Sequence, residues 1–409
     1  MAKKVRKDTK GRILHKGETY RKDKELYCYC YTDPLGKRHS LYSPDLGKLR
    51  EKEKAVLRDR LDGLETYALA RSDINYVFDR YISTKTELRA TTITGYLYNY
   101  DRYVRDNFGR KKIAEIRYSD VVYFYNSLLK KGLAVSTVDR VHCVLHPTFQ
   151  MAVRDNIIRN NPSDGVMAEI KKKIEKSEPR HALDIDSERR FLSILDQPEY
   201  KRWKPLFVFM FGTGCRVGEV IGLRWEDVYF EKNYICIDHT MNYRPLYNNR
   251  KCEFRVDLPK TAAGIRNIPM LEKVREVLLE EKERQKATKS GCKVVINGMT
   301  GFIFLNRYGM PFTPESINSE IAKIVDDYNT AEELKAVREK REPQLIPRFT
   351  CHIIRHTFCT RLCENETNIK VIQKVMGHKD IQTTLDIYAE VSEKKKQDVF
   401  EQLNFINII

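Results

Sequence analysis

The sequence predicts a multidomain, mainly α-helical protein with small β elements near its N-terminus and in its C-terminal half. Three observations carry this. The chain has 409 residues, more than one domain of the usual ~100–200 residues accommodates. Apolar residues recur at helical spacing through residues 72–165, as far as the stop signal Asn160-Asn161-Pro162-Ser163-Asp164-Gly165. Strand-like runs fall in residues 26–42 and again between Val228 and Met270.

Composition narrows the class further. Hydrophobic residues make up 41% of the chain, enough for ordinary globular cores. The longest strongly apolar stretch without a charge, Pro205 to Cys215, has eleven residues, and a membrane span needs about twenty. No apolar run follows the basic N-terminus, so a secretory signal is not expected. Ten scattered cysteines suit a reducing cytosol. The net charge is +17, and residues 1–50 hold fourteen Lys or Arg against six Asp or Glu, a net of +8. Such a concentration points to a polyanionic partner or to a solubilising tail.

Each element has a local reason. Leu26 to Thr32 alternates side-chain types with period two, and Asp33-Pro34-Leu35-Gly36 fits a type I turn. Lys37 to Tyr42 returns as a strand, and a charged helix is expected over Leu46 to Leu61. The Tyr27, Tyr29, Tyr31 stripe either packs on that helix or stacks on bases. Asp62 to Arg71 reads as a connector. Ser72 or Asp73 then caps a helix carrying Ile74, Val77, Phe78 and Tyr81. Helices follow over residues 91–107, 119–131 and 136–156, with Thr91 or Thr92, Ser119 and Ser136 as expected caps. Lys171 to Lys176 reads as a solvated basic linker, and after Pro179 long helices alternate with β segments.

Three constellations carry chemistry. In Phe211-Gly212-Thr213-Gly214-Cys215-Arg216-Val217-Gly218-Glu219, the third glycine of a dinucleotide fingerprint is missing, because Val stands at 217. The stretch instead places Arg216 between apolar segments, where a cation needs an anion, either Glu219 or a ligand. In the second, helical spacing puts His352, Arg355 and His356 on one face. An arginine at its centre disfavours a metal and suits a phosphate. In the third, Gly377 reads as a helix C-cap that leaves His378 in the turn, with Tyr388 ten residues further on. Cys28 with Cys30 reads as a strand face rather than a zinc site. His142 and His146 share a helical face without nearby acidic ligands, and Cys359 and Cys363 are neighbours on one helix.

Together these pieces resemble the tyrosine site-specific recombinases, the phage-type integrase family, along essentially the whole chain. The T-G-x-R-x-x-E box is Thr213 to Glu219, the H-x-x-R-H box is His352 to His356, and Met376-Gly377-His378 matches the L-G-H box. The basic, strand-rich N-terminus is most similar to integrases of conjugative transposons of Gram-positive bacteria. Gly218 and Met376 depart from the residues many members carry there, and the gap from His378 to Tyr388 is one longer than in many relatives. The resemblance implies a three-stranded sheet plus helix as an arm-site DNA-binding domain (residues 1–62), a helical core-binding domain (72–165) and a mixed catalytic domain with a small β-sheet and a C-terminal helix (180–409).

It also implies the roles. Arg216 and Arg355 grip the scissile phosphate and His378 donates to it. Tyr388 attacks, His352 accepts the tyrosine proton, and Lys260 protonates the leaving 5′ oxygen. His356 and Glu219 support the site. Lys260 is placed by the pattern Pro259-Lys260-Thr261-Ala262-Ala263-Gly264-Ile265-Arg266-Asn267-Ile268-Pro269, read as strand, turn, strand from Phe254, with Arg266 as runner-up and Lys251 behind it. The expected activity is metal- and ATP-independent cutting and rejoining of double-stranded DNA, with no cofactor, through a 3′-phosphotyrosine intermediate, to integrate and excise a mobile element. The implied partners are core and arm DNA sites, a homo-tetramer on DNA, and an excisionase or DNA-bending accessory protein; no membrane is involved. The implied location is the bacterial cytoplasm, at the nucleoid. Chromosome or plasmid dimer resolution and a non-catalytic DNA-binding regulator are the competing readings. The former is disfavoured by the added basic N-terminus, the latter by the complete residue set.

Overall fold

The computed structural model describes residues 6–32, 38–61, 72–172, 181–245, 251–259, 264–389 and 391. The expected turn at 33–36, the connector at 62–71, Lys260 and the terminal segment after 391 lie outside the described residues. The chain divides into two compact units, Met1–Ser177 and Glu178–Ile409.

The first unit opens with the antiparallel sheet β1 (Glu18–Arg21), β2 (Leu26–Thr32) and β3 (Arg38–Ser43), with β2 in the centre. Tyr27 and Tyr29 are buried with Leu46 and Leu49 of helix α1 (Leu46–Leu61), and Tyr31 packs at the edge. The tyrosine stripe is therefore a packing face. The Tyr27 hydroxyl also donates to Asp8 at 2.8 Å, tying the N-terminal segment to the sheet.

A second core is made by α2 (Ile74–Ser83), α3 (Ala90–Tyr103), α4 (Tyr118–Lys130), α5 (Val135–Arg154) and α6 (Val166–Lys172). Asp73 caps α2 as expected, accepting from the Tyr76 N–H at 2.9 Å. The other expected caps are not used. α3, α4 and α5 each start one residue early, with Arg89, Arg117 and Ala134 at the N-cap positions. In α4 the Asp120 carboxylate at the third helical position accepts the backbone N–H of the N-cap residue Arg117, the reciprocal half of a capping box, and Ser119 lies inside the helix. Nor is the basic run wholly a linker. α6 buries Val166, Met167 and Ile170, and Lys171 pairs with Asp139 at 2.9 Å.

In the second unit, the helices α7 (Ile185–Ile194), α8 (Lys204–Thr213), α9 (Val217–Gly222), α10 (Glu272–Thr288), α11 (Pro314–Glu339), α12 (Cys351–Asn365) and α13 (Ile369–Met376) accompany two small sheets. α8 is buried nearly all round, as its unbroken apolar run requires. One sheet has the order β4 (Val228–Tyr229), β5 (Tyr234–Ile237), β8 (Arg266–Pro269), and the other joins β6 (Thr240–Pro245) to β7 (Cys252–Asp257). The strand–turn–strand expected over residues 254–269 is thus not a hairpin. β7 pairs with β6, setting Phe254 opposite Tyr243 and Val256 opposite Met241, while β8 pairs with β5, setting the buried Ile268 opposite Ile235. Apolar cross-strand partners upstream in the chain outcompete the local turn.

Candidate active site

The site is built where helices stop and start. α8 ends on Gly214 at φ 60°, and a Cβ there would lie 2.3 Å from Phe358 Cδ1, so only glycine makes the reversal. The chain re-enters helix at Val217, which makes Arg216 the N-cap of α9. Gly218, the departure from many relatives, faces Thr240 and the Met241 carbonyl so closely that a Cβ would meet them at 2.5 and 2.8 Å. α9 is thereby pressed onto β6.

Glu219 sits at the third position of α9, with its side chain 6% exposed. It accepts the Arg216 backbone N–H and Arg216 Nη1, both at 2.9 Å, and is gripped from the other side by Arg266 at 2.8 and 3.1 Å. Burial opposes ionisation, but the hydrogen bonds and charge of Arg266, with Arg216, hold its pKa at about 2. Glu219 is the internal counterion of the site.

Three arginines from three different elements then converge on one helix end. Arg266 of β8 donates Nε to the Val375 carbonyl at 2.8 Å. Arg355 of α12 donates to the Met376 carbonyl at 2.6 Å and to that of Gly214 at 2.7 Å. Arg216 donates to the Gly377 carbonyl at 2.8 Å. Successive carbonyls at the C-terminus of α13 thus each receive a guanidinium, and these are groups that a helix end leaves unpaired. Arg355 is 5% exposed; burial and the nearby charge of Arg216 pull its pKa down to about 10, which leaves it cationic at neutral pH. Arg216 stays partly open, its side chain 44% exposed.

Gly377, at φ 63°, is the expected C-cap of α13, and His378 follows it in the turn. Gln373 holds the His378 backbone at both ends, accepting from its N–H at 3.2 Å and donating to its carbonyl at 3.1 Å. The buried ring places Nδ1 2.9 Å from Thr384 Oγ1. Burial first, then the charges of Arg355, Arg216 and Arg266, depress its pKa to about 4.

His352 is exposed on the first turn of α12, three residues before Arg355. His356 is half-buried beside Thr360, with Nδ1 3.4 Å from its hydroxyl. Tyr388 lies in the helical residues 382–389, half-buried. Its ring packs on the small core of Cys359, Cys363, Ile372, Met376 and Val391, the side of α12 and α13 that also carries Phe358 and Leu362. The structure thus brings Arg216, Arg355 and His378 together with Glu219, and seats Tyr388 on α12 and α13, which carry Arg355 and the row of carbonyls. Arg266 is locked as a structural cation rather than a proton donor. Its role, and that of Thr384, were not visible in the sequence, because their partners lie on other elements.

Other polar clusters have their donors in use. Glu18, near His15 and Glu53, is held by Arg50 at 2.9 and 3.1 Å. Asp227, near Asp238 and His239, is held by Arg224 at 2.9 and 3.2 Å. Cys28 and Cys30 are neighbours on β2 with sulfurs 3.5 Å apart. His146, against the expectation of no acidic neighbour, has Asp164 at 3.7 Å as well as Ser163 at 3.0 Å. A cavity of about 680 Å³ lined by Trp203, Tyr243, Phe254 and Phe312 contains none of the site residues. No helix among the described residues is long and apolar enough to cross a membrane.

Comparison with known proteins matches residues 181–395 to the phage integrase family, residues 1–60 to the DNA binding domain of tn916 integrase, and residues 74–129 to the phage integrase N-terminal SAM-like domain. The transposase from transposon Tn916 of Enterococcus faecalis is 28% identical over 414 aligned positions, covering 98% of this chain and 96% of that protein. Among solved structures, the Tn1549 transposon integrase in complex with transposon right end DNA is 28% identical. It superposes with a TM-score of 0.68, covering 81% of this chain and 99% of that one. A lambda integrase tetramer bound to a Holliday junction, 17% identical with a TM-score of 0.52 over 91% of this chain and 94% of that one, shares the fold.

Proposed function

The chain belongs to the phage integrase family of tyrosine recombinases, and from that membership we propose the following reaction for it. It integrates and excises a mobile element of the conjugative-transposon type by cutting and rejoining DNA. Residues 1–62 bind arm sites, residues 72–165 the crossover core, and residues 180–409 carry out the chemistry. The match of residues 1–60 to a DNA-binding domain of a transposon integrase supports integration over dimer resolution.

The observation that carries the mechanism is the row of guanidiniums on the carbonyls of residues 375–377 beside His378. A phosphodiester is an anion with a poor leaving group, so catalysis rests on positioning and charge. Arg216 and Arg355 each spend two side-chain donors on the protein and keep N–H groups for the non-bridging oxygens. Neutral His378 adds a hydrogen bond. The Tyr388 oxygen attacks phosphorus as its proton passes to His352, and the bond to the 5′ oxygen breaks as Lys260 protonates it. The products are a 3′-phosphotyrosine and a free 5′ hydroxyl. The bond energy is conserved, so rejoining to a second strand needs neither ATP nor a metal.

Two duplexes each cut on two strands require four tyrosines, which supports a tetramer on DNA. An excisionase or DNA-bending protein would bias its direction. Ten free cysteines suit action on DNA in a reducing bacterial cytoplasm.

The test is covalent capture. Incubated with a nicked duplex core site in EDTA and then denatured, the wild-type protein yields a protein–DNA adduct, and Tyr388→Phe yields none. An adduct with Tyr388→Phe, or none with wild type, overturns the mechanism.

A further inference from the structure

We propose that Thr384 is a positioning residue that fixes the tautomer of His378 and ties that histidine to the helix of Tyr388. The inference rests on the recombinase reading of the site and deepens it. Thr384 has no exposed surface and lies on helical residues 382–389, one turn before Tyr388. Its hydroxyl stands 2.9 Å from His378 Nδ1. It is therefore a polar link between the phosphate-binding turn and the segment that presents the nucleophile, and that segment also packs on α12 and α13 through the apolar contacts of Ile387 and Tyr388.

The direction of that hydrogen bond matters. A buried histidine beside Arg355, Arg216 and Arg266 is held neutral, so it carries one ring proton. If Nδ1 holds the proton, Nε2 offers the phosphate only a lone pair, which repels it. If the Thr384 hydroxyl donates to Nδ1, the proton resides on Nε2 and is available to a phosphate oxygen. A hydroxyl that donates into Nδ1 makes His378 a donor without making it a cation. The same contact holds the Tyr388 helix in register with the turn, since Thr384 and Tyr388 lie on the same side of it.

His356 has a threonine near Nδ1, but at 3.4 Å and on its own helix, Thr360.

The test compares full-length wild type with Thr384→Val, which keeps the shape and removes the hydroxyl, and Thr384→Ser, which restores it. Valine is expected to slow adduct formation on a nicked core site roughly 10- to 100-fold, the size of effect that a metal-bound histidine shows on losing its orienting partner. Core DNA affinity should stay within about twofold, and serine should recover most of the rate. Independently of activity, nitrogen NMR of the free protein should show His378 as the Nε2–H tautomer in wild type and Thr384→Ser, and a mixture in Thr384→Val. An Nδ1–H tautomer in wild type, or wild-type rates in the valine variant, overturns the proposal. If wild type forms no adduct, the recombinase reading fails while the tautomer spectrum still decides the role of Thr384.

Discussion

His378 shows how much the surroundings of a single ring decide. Its pKa falls from an ordinary value of 6.5 to about 4, through burial and then the Arg355, Arg216 and Arg266 charges. The unfolded chain therefore binds a proton between those values that the folded chain refuses, and stability tied to His378 is full above about pH 6.5 and lost as pH falls toward 4. The contribution is at most about 3 kcal/mol. Denaturant unfolding at pH 7.5 and 5 should show wild type losing more stability than His378→Gln; equal losses would exclude a neutral buried His378. At this scale the sequence was informative. Arg216, Arg355 and His378 stand at motif spacings whose chemistry is readable directly. The meaning of Arg266 and Thr384 was not, since Arg266 reaches Glu219 and Val375 across 47 and 109 residues. Such partners exist only once the fold brings them together.

Among the elements, helices were legible and strand pairing was not. The run of Phe207, Phe209, Met210 and Phe211 reads as a buried helix, and the left-handed end at Gly377 was written in the glycine itself, whereas the one at Gly214 emerged only with the fold. β7 and β8 were also recognised as strands, but not their partners, because a short turn-like segment between two strands does not exclude better apolar partners upstream. The caps expected at the starts of α3, α4 and α5 failed, and at α4 a carboxylate at the third position, Asp120, takes up the Arg117 N–H instead. The Gly214 reversal gives a prediction at this scale. Gly214→Ala must hold a Cβ at positive φ against the Phe358 ring, costing at least about 1–3 kcal/mol. Calorimetry should show a lower Tm, and adduct formation should fall, because Arg216 is aimed by the turn that follows. An unchanged Tm would mean that the reversal is not strained by a side chain.

At the scale of the whole molecule, the proposed function divides the positive charge between two separable jobs. The +8 of residues 1–50 can neutralise phosphates along an arm site irrespective of chemistry. Deleting residues 1–62 should abolish binding to distant element sites while leaving core binding and adduct formation intact, with a shallower dependence of affinity on salt. Equal loss at both classes of site in band-shift titrations would refute the division. The charges at the end of α13 behave differently, because their number is fixed. Arg216, Arg266 and Arg355 contribute three positive charges, and Glu219 returns one, leaving a residue of two. A bound phosphodiester cancels only half of this. On the proposed mechanism, when a tyrosine oxygen adds to it the five-coordinate phosphorus carries two negative charges, matching the two that these four residues leave over, while the tyrosine proton is held separately on His352. The balance belongs to the fleeting species rather than to the DNA that arrives or the ester that remains.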